Sequence, residues 1–476
     1  MFAKKIMFSL LCASLVGMVA CGDEKSDHAD NNPVMPPSPT SSADPFAVPG
    51  MSTGVDPLPT SSTNITPPAP SGNYAALAPT ADLTKPVLLY ESWKLAHVAA
   101  METEMATYPS LAGDFSEVFK ADYLPASRVV WAAQSSGGYK KQCSVNDAAV
   151  SEMKYRACTV SEGIGYGLLL SYFHNDTETF LRLWNYNRAI RKYNGSTNLM
   201  PWIVESFTYN IVDDASATDA DLDIATALIL MYYKSNLEVY KTDALAIIND
   251  LWKEEIEPTS KLIMSGNTPM WNGKGSGQII YNLSYFSPVA LRLFALIDPS
   301  HDWNGVLDAM YTYMAKVQDG GTGVFPDWSN AAGVAVEAPN GSSTNTYYQF
   351  NKESVRIPWR IAWDYYWYQD PRAATVLNKL NNFIVEKSSG DVKSSALGTN
   401  YSWNLSLGAD KTMNVVAGMW LGAWCSTGIA GNATWLSNCT TELNARQLTN
   451  STSSYFTDIL LVMYSQLLNG MFVKPF

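Results

Sequence analysis

From about residue 85 to the end of the chain, apolar positions recur with helical spacing. The clearest segments are GYGLLLSYFHNDTETFLRLWNYNRAI (165–190), DADLDIATALILMYYKSNLEVY (219–240), PVALRLFALI (288–297) and SSYFTDILLVMYSQLLNGMF (453–472). In the second of these, Ile224, Leu228 and Met231 fall on one face with Ala225 and Ile229 beside it. That is the pattern of a helix turning one side to a core. Sustained strand-type alternation is scarce, and no internal repeat is clear enough to name a solenoid. About 390 residues in helix-plus-loop units of roughly 30 predict an all-α domain of about a dozen helices. Paired helices closed into a ring fit that number, as do other helical folds.

The first 84 residues have a different texture. Residues 1–21, MFAKKIMFSLLCASLVGMVAC, carry Lys4 and Lys5 ahead of an apolar stretch from Ile6 to Val19, which is too short to span a bilayer comfortably. Small residues then lead to Cys21. This resembles a bacterial lipoprotein signal with Cys21 as the lipidated residue. An ordinary cleaved signal peptide and an uncleaved anchor are the alternatives. More than one acyl chain on Cys21 supplies stable anchoring, so the expected location is the bacterial cell envelope or surface, or otherwise the medium. Residues 22–84 are rich in Pro, Ser, Thr and Gly and lack apolar periodicity, the composition of a disordered tether. As a coil its reach is about 45 Å. The expected organisation is therefore signal 1–21, tether 22–84 and a globular domain 85–476.

Composition narrows the partners. The chain has 32 basic and 44 acidic residues, so it lacks the basic density that a phosphate backbone requires and nucleic acid is not expected. Its 15 Trp, 26 Tyr and 16 Phe fill a core or line a cleft for stacking on sugars. Outside residues 1–21, four cysteines remain, Cys143, Cys158, Cys425 and Cys439. In an oxidising compartment the local pairs Cys143–Cys158 and Cys425–Cys439 are the simplest of three pairings. No CxxC spacing and only four His in total argue against a metal site. No cofactor is called for, and a monomer is the default.

Carboxylates gather in three segments. In SEGIGYG (161–167), Glu162 follows a good N-cap residue, Ser161, and precedes glycines at alternate positions. Such glycines are costly in a helix and make sense where the backbone approaches a sugar or a neighbouring helix closely. The plain alternative for Glu162 is an acid complementing the helix dipole. In ATDADLDIA (217–225), Asp219, Asp221 and Asp223 alternate at a helix start. Thr218 and Asp221 have the spacing of a capping box, but capping needs fewer acids, and like charges this close repel. In ESVRIPWRIAWD (353–364), Pro358 marks a first helical turn with Glu353 at its mouth. An ion ladder, Glu353–Arg356 and Arg360–Asp364, is the bland explanation there.

At these segments the sequence resembles glycoside hydrolase family 8, which contains endoglucanases, xylanases and chitosanases. SEGIGYG looks like the family's general-acid segment and ASATDADLDIA like its signature. NLSYFSP (282–288), VFPDWSN (324–330), VRIPWRIAWDYYWY (355–368) and YFTDILLVMYSQLLNGMF (455–472) follow in order. The resemblance implies an (α/α)6 barrel and an inverting mechanism, with Glu162 as proton donor and Asp219 binding and distorting the sugar. It implies that Tyr285 is the site tyrosine and that Arg356 braces the base. Where many members carry an aspartate base, this chain has Glu353. Some members take a glutamate from an inserted loop, which here offers Glu337; Glu353 is favoured.

The chemistry needs one protonated carboxyl at the leaving oxygen and one ionised carboxylate activating water on the opposite face, about 6.5–9.5 Å apart in inverting enzymes. A helix N-terminus favours the anion of Glu162. Burial and a nearby anion such as Asp219 are expected to raise its pKa again. Trp202, Trp328 and Trp359 are the candidates for sugar stacking, with core packing as the alternative for each. The expected activity is cleavage of a β-1,4-linked polysaccharide, first an endo-β-1,4-glucanase, then a xylanase, then a chitosanase. A non-catalytic, surface-anchored glycan-binding protein is the contrasting class.

Overall fold

The structure is a computed structural model that describes residues 83–108, 119, 121–131, 158–195, 197–205, 211–272, 278–338, 346–413, 415–449 and 454–476. The signal, the lipidation at Cys21, nearly all of the tether, and Cys143 lie outside the described residues.

Twelve of the described helices build the domain. They are α1 (Thr84–His97), α2 (Ser161–His174), α3 (Thr177–Asn194), α4 (Thr218–Ser235), α5 (Glu238–Glu255), α6 (Pro288–Ile297), α7 (Trp303–Asp319), α8 (Ile357–Tyr368), α9 (Pro371–Ser388), α10 (Gly418–Ser426), α11 (Ala433–Asn444) and α12 (Tyr455–Leu468). The even-numbered helices pack in sequence, α2 on α4, α4 on α6, then α8, α10 and α12, and α12 returns to α2. Each odd-numbered helix backs one of them: α3 on α2, α5 on α4, α7 on α6, α9 on α8, α11 on α10, and α1 on α12. This is an (α/α)6 barrel, six inner helices within six outer ones.

The apolar pattern explains which helix goes where. In α10 every residue from Gly418 to Ser426 is buried, and in α4 every residue from Thr218 to Met231 is buried. A helix that is closed to water all round belongs inside. In α9 only one face is buried, carried by Val376, Leu377, Leu380 and Ile384, so that helix lies outside. Pro288, Pro358 and Pro371 sit in the first turns of α6, α8 and α9, where a missing N–H costs nothing. Cys425 and Cys439 are disulfide-bonded with Cα atoms 5.1 Å apart, tying α10 to α11. Cys158 is also disulfide-bonded.

Alternate glycines in α2 serve helix packing. A Cβ on Gly165 would stand 3.0 Å from Asp223 Cβ and 3.1 Å from the carbonyl of Ala220, and one on Gly167 would reach Leu183 at 2.9 Å. The close approach anticipated at this segment is to α4 and α3.

Chain reversal between inner and outer helices makes the inner ones parallel, so their N-termini share one end of the barrel. A small antiparallel sheet fixes two of those ends. Strand β3 (Thr159–Val160) pairs with β4 (Pro201–Val204), and β4 with β5 (Ile211–Ser216). β3 runs into α2, and β5 runs through Ala217 into α4. Pairing three strands therefore sets Glu162 and Asp219 side by side. Strands β1 (Val98–Ala100) with β2 (Ser127–Val129), β6 (Ile280–Tyr281) with β7 (Ser329–Asn330), and β8 (Thr399–Asn400) with β9 (Lys411–Thr412) form further two-stranded pairs.

Candidate active site

A cavity of about 370 Å³ opens at the N-terminal end of the inner helices. Glu162 and Asp219 enter from the first turns of α2 and α4, and Tyr285 from the turn before α6. Glu353 and Arg356 come from the 3₁₀ turn leading into α8, and Tyr455 from the start of α12. Residues separated by up to 293 positions meet here.

Arg356 organises the floor. Its Nη1 donates to Glu162 Oε2 at 2.5 Å and to Asp219 Oδ2 at 2.7 Å, while its Nη2 donates to Glu353 Oε2. The guanidinium is only 3% exposed. It lies over the rings of Tyr285 and Phe456, with centroids 5.4 and 5.8 Å away. A buried cation needs such partners, and three carboxylates with two ring faces supply them. Tyr455 Oη donates to Glu162 Oε1 at 2.9 Å. Asn282 Nδ2 donates to Glu353 Oε2 at 2.6 Å. Both of these bonds to Glu353 fall on Oε2.

Electrostatics separate these acids. Burial raises the pKa of Glu162; Arg356 and the Tyr455 hydroxyl pull it back, and Glu353 adds to the rise. Asp219 is pushed up to about 7, first by burial, against Arg356 and with Glu162. The neighbouring anion that adds to the rise of Glu162 is thus Glu353, where Asp219 was expected; the influence of Glu162 shows instead in Asp219. One carboxyl poised to hold a proton beside an Arg-braced carboxylate is an acid–base arrangement.

The cavity walls are aromatic. Trp202 and Trp328 line it, joined by Trp131 and Trp271, and Trp271 stacks on Trp328 with centroids 5.5 Å apart and planes 23° apart. Trp359, a candidate for sugar stacking with core packing as its alternative, takes the alternative and is fully buried. It packs edge-on to Tyr166, stacks on Trp363, and lies beneath the Arg360 guanidinium. It occupies the second residue position after Ile357 in an inner helix, one turn below the cavity, and so faces the barrel core.

The overall sequence matches the model of the family described as Glycosyl hydrolases family 8 over residues 126–467. This chain belongs to that family. It is 34% identical over 241 residues to Endoglucanase C of Ruminiclostridium cellulolyticum, covering 49% of this chain and 49% of that protein. It is 32% identical over 286 residues to Endoglucanase A of Acetivibrio thermocellus, covering 58% and 55%. The chain spans about half the length of the curated relatives it matches. In fold it is similar to the apo β-1,3-1,4-glucanase from Paenibacillus sp. X4, with a TM-score of 0.62 and 20% identity over 84% of this chain and 95% of that one. It is also similar in fold to Rex8A from Paenibacillus barcinonensis complexed with xylose, with a TM-score of 0.55 and 17% identity over 80% and 99%.

Other expectations for this family 8 chain meet different outcomes. Glu353 lines the cavity, whereas Glu337 is exposed and is not among the residues lining it. The Thr218–Asp221 capping box does not form: Ala217 is the N-cap of α4, and Asp221 Oδ1 accepts from Met200 N at 2.9 Å. Val160, not Ser161, is the N-cap of α2. The ladder Arg360–Asp364 does not form either. Arg360 reaches Asp223 with Nη1 and Nη2 at 2.7 and 2.8 Å, and Asp364 takes Arg292 at 2.7 Å. Tyr455, Asn282, Asp327, Trp131 and Trp271 were not singled out in the sequence. Tyr455, Asn282 and Asp327 each fall within a segment that carries the family resemblance. Nothing local marks Trp131 or Trp271.

Behind Asp219 lies a second pair of buried acids. Glu255, at the end of α5, accepts the Ser216 hydroxyl, and burial pushes its pKa up to about 8. Asp221 is raised by burial and by Glu255. A carboxyl whose folded pKa exceeds its unfolded value of 4.5 contributes stability below that value and loses it as pH rises through about 8. Glu255→Gln keeps the shape and removes the ionisation. The melting temperature of this variant minus that of the parent is therefore expected to grow more positive by several degrees between pH 5 and pH 8. Scanning calorimetry at both pH values checks this, and an unchanged gap would count against a neutral Glu255.

Proposed function

We propose that this protein is an inverting endo-β-1,4-glucanase, acting as a monomer held at the bacterial envelope by a lipid on Cys21 and the tether of residues 22–84. The observation that carries the catalytic reading is one buried guanidinium gripping Glu162, Asp219 and Glu353 on the floor of a tryptophan-walled cleft. Glu162 and Glu353 occupy different nitrogens of Arg356, so the guanidinium stands between acid and base. In this reading Glu162 protonates the departing glycosidic oxygen. Glu353 takes a proton through Oε1 from the water that attacks the opposite face of the sugar. Asp219 grips and distorts that sugar, and the Trp271–Trp328 stack offers a flat apolar surface to a neighbouring one. The choice of a β-1,4-glucan is supported by relatives that bear the name endoglucanase.

The test is reducing-sugar release from soluble β-glucan, a cellulose derivative, xylan and chitosan, with the product anomer followed by proton NMR. Release from the glucans with the α-anomer appearing first is expected. A first-formed β-anomer would overturn inversion. Release confined to xylan or chitosan would overturn the glucan, and binding without release would make the protein a glycan-binding module. Detergent-phase partitioning of the full chain, lost in Cys21→Ala, tests the anchor in the same preparation.

A further inference from the structure

We infer that Asp327 is a positioning residue for the base, clamping the backbone turn that carries Glu353; this rests on Glu353 being the base. The residue lies in the loop before β7 and is 7% exposed. A single oxygen, Oδ1, accepts the backbone N–H of Asn351 at 3.1 Å, of Glu353 at 3.2 Å and of Ser354 at 3.0 Å, and the Ser354 hydroxyl at 2.9 Å. The turn into α8 has no cap of its own, because the Glu353 side chain makes no capping bond. It is turned inward to Asn282 and Arg356. Asp327 supplies from another segment what a local N-cap supplies elsewhere.

The β6–β7 pair therefore holds the base twice. Asn282, directly after β6, takes the carboxylate. Asp327, two residues before β7, takes the backbone. Trp328 follows Asp327 immediately and lines the cavity, so one short segment carries both a sugar-facing ring and the clamp on the base. Burial, with Glu353 second, pushes the Asp327 carboxyl up to about 8. Near neutral pH it is thus mostly protonated. A neutral carboxyl still accepts through its carbonyl oxygen.

An amide in the same place offers the same acceptor without charge, whereas a methyl offers none. Asp327→Asn is therefore expected to keep kcat within about threefold. Asp327→Ala is expected to lower kcat by about 10–100-fold, the scale of a small misplacement of a reacting group, with KM within about twofold because the aromatic walls are untouched. Ser354→Ala, which trims the clamp from the other side, is expected to lower kcat several-fold, and it keeps the test alive if Asp327→Ala does not fold. In a Glu353→Ala background, adding Asp327→Ala is expected to lower the residual rate no further, since there is no base left to position.

Equal damage from Asn and Ala, an unchanged kcat in both Asp327→Ala and Ser354→Ala, or full multiplication of the loss in the double variant would each overturn the role of Asp327. A Glu353→Ala variant as active as the parent would instead overturn the base assignment, a distinct failure.

Discussion

Replacing Glu162 by Gln is expected to lower kcat on polymer by about 10²–10⁴-fold, the range contributed by a positioned general acid. The amide fills the same space: its oxygen can still accept from Arg356, and its NH2 can donate to the Tyr455 hydroxyl oxygen where the carboxylate accepted, so folding and the cleft survive. What it lacks is a transferable proton. Two features tie the effect to that proton. Burial raises the pKa of Glu162 despite the adjacent guanidinium, so the alkaline limb of the pH–rate profile is expected to change in Glu162→Gln. Second, the deficit depends on the leaving group. An aryl glycoside with an acidic phenol departs without protonation, so its hydrolysis is expected to suffer far less than that of the polymer. Comparing kcat for the two substrates checks the assignment; an equal loss on both would mean that Glu162 acts on the sugar rather than on the leaving oxygen.

Asp223→Ala is expected to destabilise the fold by about 3–5 kcal/mol, the cost of leaving one partner of a buried ion pair uncompensated. Arg360 and Asp223 are essentially inaccessible and bonded through both nitrogens and both oxygens. The pair is the lower rung of a ladder across the barrel. Asp219–Arg356 and Asp223–Arg360 are each 137 residues apart in sequence. Each member of the lower rung lies four residues, about one helical turn, beyond its counterpart in the upper one. The lower rung sets the register of α4 against α8, and that register lets Arg356 meet Asp219 in the cleft. Urea unfolding checks the stability, and a kcat that falls in the folded fraction checks the register. The double variant Asp223→Leu with Arg360→Met removes both charges and is expected to recover most of the stability while leaving kcat low. Such recovery follows because apolar groups replace a buried pair at little cost, whereas a lone charge is costly.

Much of this architecture is legible in the sequence. The helical segments that became α2, α4, α6 and α12 follow from the spacing of apolar residues, because a helix segregates its side chains by angle; α4, whose spacing predicted one core-facing side, is buried all round over Thr218–Met231 because it lies inside the ring. The acid-bearing segments are legible for a related reason. Three aspartates alternating at the start of an apolar helix carry repulsion that capping alone does not offset, so Asp219, Asp221 and Asp223 stand out before any contact is known. Partners are a different matter. Local spacing offered Arg360 to Asp364 and Thr218 to Asp221, and both pairings lost to distant groups, because a fully buried charge takes whichever counter-charge the packing brings into its plane. Trp359 and Trp328 look alike in sequence, each near a recognised segment, but one turn of helix puts the first in the core and a loop puts the second in the cleft.

By itself, then, the sequence determined helix positions and the acidic residue types gathered at helix starts, since these depend on periodicity and local charge. Closure of the ring decided the rest. Only when α12 returns to α2 does Tyr455 reach Glu162, and only when β6 pairs with β7 do Asn282 and Asp327 converge on Glu353. Hydrogen bonds act over about 3 Å, and no spacing along the chain encodes which residues a closed barrel brings within that distance.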